Sequence, residues 1–292
     1  MIARLREFVD RAKRLGPTLM ALRPVRAAIR YNELRGNRLA GAVSFYGFVS
    51  LFPLLALASA ITVQVIGPSG VETIQEIVDE YLPGFDLNIS AFAAQAGTVG
   101  LIGGITLLWT GLLWVDATRA AVRLMWELDD SPGNLVVRKL ADLASLIGLG
   151  VIILVSWGAT AAVAAATDDV LDWLGINGGF GTITSRAVAL VLAIASSSLL
   201  FGYLLAGLPR IPIPLKLLLV VALIGGLVYE VLKQLVTQFA IVVTPDPAYA
   251  IFAVPLALVA WIYLVTRLLM GLAAATAEWG QNHPDKQPAQ VA

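Results

Sequence analysis

Long stretches without any charged residue constrain this sequence more than any other feature. Four stretches of 33, 29, 25 and 23 residues contain no Asp, Glu, Lys or Arg: 39–71, 87–115, 143–167 and 187–209. Two further apolar stretches contain only Glu230 and Lys233, or only Arg267. About 20 mostly apolar residues suffice for a helix to cross a bilayer, and in hydrocarbon each backbone polar group must bond within its own segment. The sequence therefore predicts an all-α integral membrane protein with six transmembrane helices, at about 40–66, 98–118, 140–167, 184–208, 215–243 and 249–277.

The composition agrees with the membrane class and limits the chemistry. Apolar residues make up 58% of the 292, charged residues 14%, and the mean hydropathy is +0.82. A soluble globular domain rarely reaches such values. The chain has no cysteine, which excludes disulfides, thiolate catalysis and cysteine metal sites.

The distribution of Lys and Arg predicts the orientation. Seventeen Lys and Arg residues lie before the first predicted span, in the connections after spans two and four, or in the tail. The connections after spans one, three and five together hold only Arg186. Basic residues collect on the cytoplasmic side of membrane proteins. We therefore expect both ends of the chain in the cytoplasm.

The segments outside the spans have their own patterns. We divide the chain into a basic cytoplasmic N-terminal segment (1–38), a transmembrane domain (39–278) and a disordered cytoplasmic tail (279–292). Over 2–15, apolar residues recur at helical spacing and basic residues fill the positions between them. This pattern indicates either a helix lying on the anionic inner leaflet or a tail that only enforces topology. The sequence also predicts an external amphipathic helix over about 71–82. This helix is either a lid over an outward opening or a helix that rests on the outer rim.

Several short motifs, taken together in order and spacing, are similar to one known family. The chain resembles the YihY/BrkB family of bacterial inner-membrane proteins over about 35–278, at Phe45-Tyr46, Ser50-Leu51-Phe52-Pro53, Trp114 to Trp126, Leu208-Pro209, Gly225-Gly226, Tyr249, Trp261-Ile262-Tyr263 and Gly271. The resemblance implies a six-helix protein of the bacterial inner membrane with a transport or envelope-related role. Some family members carry a ribonuclease label.

The chain departs from the family pattern in two places. Tyr249-Ala250 stands where the family usually has Tyr-Gly, and Gly271-Leu272-Ala273 stands where it usually has Gly-Ala-Glu. Any family mechanism that depends on that glutamate is therefore not assigned to this chain.

Ionisable residues inside predicted spans are candidates for a transport pathway. Glu230 falls in the outer half of span five, and Lys233, at i+3, can pair with it or reach the outer interface. We expect Glu230 to face a cavity rather than serve only in a structural pair. Arg267 falls near the cytoplasmic boundary of span six, too far from Glu230 for a direct pair. Its side chain either snorkels to the interface or takes part in function.

A second group of candidates lies at the cytoplasmic end of span two. Asp116, Arg119, Arg123 and Glu127 recur at spacings of three or four, which places them on one face of an extended helix. They form either a solvated face whose charges pair with one another or a cytoplasmic mouth that attracts anionic headgroups.

Small residues and one proline are expected to shape the helices. Gly100 and Gly104 form a GxxxG pair, and Gly225-Gly226 should let span five approach a neighbour closely. Pro53 should kink span one, and kinks also occur where transporters bind cargo.

An enzyme is not expected. The only histidine, His283, lies in the polar tail, and no cluster of metal ligands, catalytic triad or phosphate-binding loop can be assembled from the sequence. We therefore predict no catalytic residue, no metal and no cofactor.

Two functions remain open. The first is a transporter or flippase for an amphiphilic, lipid-like or envelope-related molecule. The second is a non-transporting scaffold or interaction partner of envelope machinery. The predicted partners are membrane lipids, with other envelope membrane proteins or self-association as further possibilities. Nucleic acid is not expected, because the basic segment lacks aromatic stacking platforms.

Overall fold

The computed structural model describes residues 23–66, 96–173, 179–243 and 247–280. These residues form seven α-helices and one π-helical turn, with no strand among them. The helices are α1 (Arg23–Glu33), α2 (Gly36–Ile66), α3 (Ala96–Met125), α4 (Leu135–Trp173), α5 (Gly179–Gly202), α6 (Leu215–Val243) and α7 (Pro247–Gly280), and the π-helical turn Tyr203–Gly207 follows α5 directly.

The predicted spans fall on α2 to α7, and the span expected at 184–208 ends in the π-helical turn. Within the part of the chain that the structure describes, four helical segments are long and apolar enough to cross a membrane: Gly100–Met125, Ala187–Gly207, Leu215–Leu235 and Leu256–Gly280. The all-helical class is therefore confirmed, whereas six spans and their orientation stay predictions. The helices expected over 2–15 and 71–82 lie outside the described residues. Helix α7 runs to Gly280, two residues into the expected tail, and 281–292 also lie outside.

Helix α1 was not predicted from the sequence. It was assigned to the basic N-terminal segment, although Pro24 suits the first turn of a helix and Ala27, Tyr31 and Leu34 recur at helical spacing. Ala27 is buried, and the other two pack against the buried core. Arg35 then adopts a φ of 55°, in the turn between α1 and α2.

Among the side chains that the structure describes, one buried core joins α2, α3, α4, α5, the π-helical turn, α6 and α7. Helix α7 contacts α1, α2, α3 and α6. Polar side chains join the elements at the end of the bundle where α7 ends. Arg30 Nε of α1 donates to the backbone oxygen of Met125 at 2.7 Å, and Arg26 pairs with Glu278 at the end of α7. Arg123 Nη1 donates to the backbone oxygen of Pro209 at 3.1 Å. We call this end, where α1, the connections 126–134 and 208–214 and the last turn of α7 meet, the basic end.

The outer surfaces of the helices are apolar. Trp109 and Leu256 are each 70% exposed, and many other large apolar side chains on α3 to α7 face outward. Exposed apolar surface of that extent does not occur on soluble monomers. A lipid environment removes its cost.

Close backbone approach joins α5 and α6. A Cβ placed at Gly226 would lie 2.8 Å from the backbone oxygen of Ile194, and one at Gly225 would lie 2.6 Å from Leu272 Cδ1. Both distances are shorter than van der Waals contact. The packing requires glycine at Gly226, where the neighbour is backbone, whereas at Gly225 the Leu272 methyl group is the end of a flexible side chain and can shift. Gly100 and Gly104 lie half-buried on α3, and buried Pro53 lies inside α2. The expected kink at Pro53 stays a prediction.

Candidate functional site

Charged side chains at the basic end form a network around one buried ion pair. The side chain of Arg119 is 1% exposed and that of Asp142, on α4, is fully buried. Arg119 Nε donates to Asp142 Oδ1 at 3.1 Å, and its other nitrogens donate to Asp116 and to the backbone oxygen of Asp130. Lys139 lies 3.1 Å from the second oxygen of Asp116. The network therefore joins α3 to α4.

Two further arginines extend this network to the connection that follows the π-helical turn. Arg210 Nη2 lies 2.7 Å from Asp142 Oδ1, so that oxygen accepts from two guanidinium groups. Arg123 donates to Pro209 and, from Nε at 2.6 Å, to the backbone oxygen of Asp129. We call Asp116, Arg119, Arg123, Lys139, Asp142 and Arg210 the charged network.

The charged network differs from the face expected from the sequence. Arg119 is buried rather than solvated, although its pairing with Asp116 matches the self-paired interpretation. Helix α3 ends at Met125, and Glu127 has a φ of 55° and pairs with Arg30 at 2.6 Å. The prediction that Glu127 extends the helical face was therefore wrong, because the helix stops before it.

Asp142 and Arg210 were missed by the sequence analysis. Asp142 stands directly before a charge-free stretch, and no spacing to another candidate residue marks it as a buried carboxylate. Its Oδ2 is buried and has no hydrogen-bond partner within the described ranges. Among the described residues, the Asp142 carboxylate is therefore held through Oδ1 alone.

Glu230 and Lys233 form the expected ion pair on α6. Lys233 Nζ lies 2.6 Å from Glu230 Oε2, and Ser197 Oγ of α5 donates to Oε1 at 2.8 Å. The Glu230 side chain is only 10% exposed. Its two oxygens are therefore both engaged at the α5–α6 contact. The cavity described next does not include either charged residue.

A cavity of about 610 Å³ lies between α1, α6 and α7. Its volume falls within the range of small-molecule sites. Its lining comprises Pro24, Ala27, Ala28, Tyr31, Asn32, Asn37, Leu232, Leu264, Arg267, Leu268, Gly271, Ala275 and Trp279. We call it the α1–α7 groove. From Leu264 to Trp279 it follows α7 for about 22 Å at 1.5 Å per residue.

The two ends of the α1–α7 groove differ in polarity. Tyr31, Asn32 and Asn37 supply polar groups at the α1 end, where Tyr31 Oη donates to Asn37 Oδ1 at 2.7 Å. Leu232 and Leu264 supply apolar side chains from α6 and α7, within the candidate spans Leu215–Leu235 and Leu256–Gly280. Arg267 also lines the groove and is exposed, and its Cζ lies 5.7 Å from the centroid of the Tyr263 ring. The groove is therefore amphipathic along its length.

The structure brings the sequence candidates together only in part. Asp116, Arg119 and Arg123 join the charged network, Glu230 and Lys233 pair elsewhere on α6, and Arg267 lies alone in the α1–α7 groove. The groove residues of α1 were missed because 1–38 was treated as a peripheral segment. Within the described ranges, no three His, Cys, Asp or Glu residues gather into a possible metal site. The expectation that the chain is not an enzyme stays a prediction.

Sequence comparisons agree with the motifs noted above. Inner membrane protein YhjD of Escherichia coli (strain K12) is 29% identical over 272 residues, which cover 87% of this chain and 80% of that protein. An uncharacterized protein of Dickeya dadantii (strain 3937) is 28% identical over 271 residues, with 87% and 82% covered. No solved structure matches the chain.

The profile of the family described as Virulence factor BrkB matches residues 27–292. The match covers every described helix except the first residues of α1, and it confirms the resemblance to YihY/BrkB proteins. This chain therefore belongs to the BrkB family of membrane proteins.

Proposed function

We propose that this protein is a transporter or flippase for an amphiphilic, lipid-like molecule in the bacterial inner membrane. The observation that carries the proposal is the α1–α7 groove, which has polar groups at one end and leucines at the other. A molecule with one polar and one apolar part can satisfy both ends at once. In this proposal the protein acts without a cofactor, and membrane lipids are its partners.

The length of the α1–α7 groove supports a lipid-like cargo. The hydrocarbon core of a bilayer is about 30 Å thick, so one leaflet contributes roughly half of that. A groove of about 22 Å is long enough for a headgroup together with the upper part of its acyl chains. A compact polar solute would leave the leucines in contact with water.

Placement in the inner membrane follows the family and the charge pattern. The relative from Escherichia coli is named an inner membrane protein. The basic end gathers α1, the connections 126–134 and 208–214 and the end of α7, which supports an arrangement with both termini in the cytoplasm and six spans between them. The groove would then open at the inner leaflet.

A translocation assay with a filled groove tests the proposal. Gly271 lines the groove, and a Cβ there would meet nothing within 4 Å, so Gly271→Trp places an indole in the space for cargo. Gly150 on α4 also has nothing within 4 Å and lies outside the groove, which makes Gly150→Trp the matched control. The wild-type protein and both variants are reconstituted into liposomes with fluorescent short-chain phosphatidylglycerol or phosphatidylethanolamine, with and without a proton gradient.

We expect the wild-type protein and Gly150→Trp to move the probe between leaflets, and Gly271→Trp to be several-fold slower. Equal rates for all three proteins would show that movement does not use the groove. A wild-type protein that moves neither probe, with or without the gradient, would contradict transport and leave the scaffold interpretation.

A further inference from the structure

Among the described residues that line the α1–α7 groove, Arg267 is the only charged one. No acidic side chain is among the lining residues. Elsewhere in the candidate spans, Arg119 pairs with two aspartates and Lys233 pairs with Glu230. Arg267 makes no such ion pair with any residue that the structure describes. The Arg267 guanidinium group is therefore available to pair with a bound molecule.

The position of Arg267 makes an anion the natural counterpart. A cation within a span is costly unless it is paired, hydrated or able to reach the interface. Arg267 Cζ lies over the Tyr263 ring at 5.7 Å from its centroid. The guanidinium N–H groups form a fork whose geometry matches two oxygens of a phosphate or a carboxylate.

Polar side chains of α1 and α2 also line the groove. The Asn32 amide donates one hydrogen to the backbone oxygen of Ala28 at 3.0 Å, and an amide group carries a second one. Tyr31 and Asn37 bond to each other. Trp279 also lines the groove, and tryptophan is enriched at the level of lipid headgroups.

We infer that the α1–α7 groove selects anionic phospholipids and that Arg267 binds the phosphate of the headgroup. The acyl chains lie along Leu232 and Leu264. This inference names the cargo class of the proposed function and rests on it for the role of the groove. Because binding does not require movement between leaflets, the two are tested separately.

Native mass spectrometry of the purified full chain measures lipid binding directly. The protein is titrated with dioleoyl phosphatidylglycerol or with dioleoyl phosphatidylcholine, which share acyl chains and differ in net charge. We expect the wild-type protein to bind phosphatidylglycerol more tightly. Arg267→Gln should lower the preference about tenfold, the effect of losing one charge-assisted contact, and Arg267→Lys should keep part of it.

Lys216 provides the matched control. It is exposed at the start of α6 and does not line the groove. Lys216→Gln removes one positive charge and should leave the preference unchanged. Equal losses in Lys216→Gln and Arg267→Gln, or no loss in Arg267→Gln at wild-type thermal stability, would overturn the inference. Translocation without headgroup preference would refute the inference alone, whereas preferential binding without translocation would refute only the proposed transport.

Discussion

Arg119 shows how one residue can be misread when its partners are distant in the sequence. Its spacing from Asp116 and Arg123 indicates a polar helix face. Its side chain is nevertheless 1% exposed and binds fully buried Asp142, 23 positions away. A buried charge pair contributes little by itself, but removal of one partner leaves an uncompensated charge.

The first prediction concerns this pair. Arg119→Ala should lower the free energy of unfolding by about 3 kcal/mol, because Asp142 then loses its buried partner. Arg210→Ala, at a side chain that is 37% exposed, should cost clearly less. Thermal melts of both variants in detergent give the comparison. Equal midpoints for Arg119→Ala and the wild-type protein would refute the structural role of the pair.

The second prediction concerns Glu230. The sequence favoured a carboxylate facing a cavity, and that hypothesis stays untested. The contacts with Ser197 and Lys233 instead favour a structural pair outside the groove. We expect Glu230→Gln to keep translocation at matched membrane abundance and to lose about 1 kcal/mol of stability. Loss of translocation at wild-type stability would restore the transport role.

At the scale of elements, the sequence predicted the long helices well. Charge-free stretches mark helices in a membrane because lipid tolerates few charges and no unpaired backbone groups. Helix α1 was missed because its apolar side is short and follows a basic run. The α1–α7 groove was missed because periodicity describes one helix at a time, whereas a groove depends on which helices meet.

The third prediction tests the α5–α6 contact. Gly226→Ala places a methyl group 2.8 Å from the backbone oxygen of Ile194, so the helices must separate. We expect a loss of about 2 kcal/mol, typical of overpacking. Gly150→Ala is the control, since the same methyl group meets nothing within 4 Å and alanine favours the helix. Equal melting midpoints for the two variants would contradict the packing account.

For the whole molecule, the fourth prediction concerns orientation. The chain has no cysteine, so single-cysteine variants report without background. Variants within 75–85, 168–180 and 245–248 should react with an impermeant maleimide in intact cells. A cysteine at Ser131, in the connection 126–134 of the basic end, should react only after permeabilisation. Reaction of Ser131→Cys in intact cells would contradict the predicted topology.

The proposed function and the proposed lipid selectivity both require an amphiphile to occupy the α1–α7 groove. The most direct measurement is a structure determined in a nanodisc that contains phosphatidylglycerol. We predict elongated density along Leu232 and Leu264, with headgroup oxygens about 3 Å from the Arg267 nitrogens. A groove filled by protein side chains, or one holding only water beside Arg267, would contradict it.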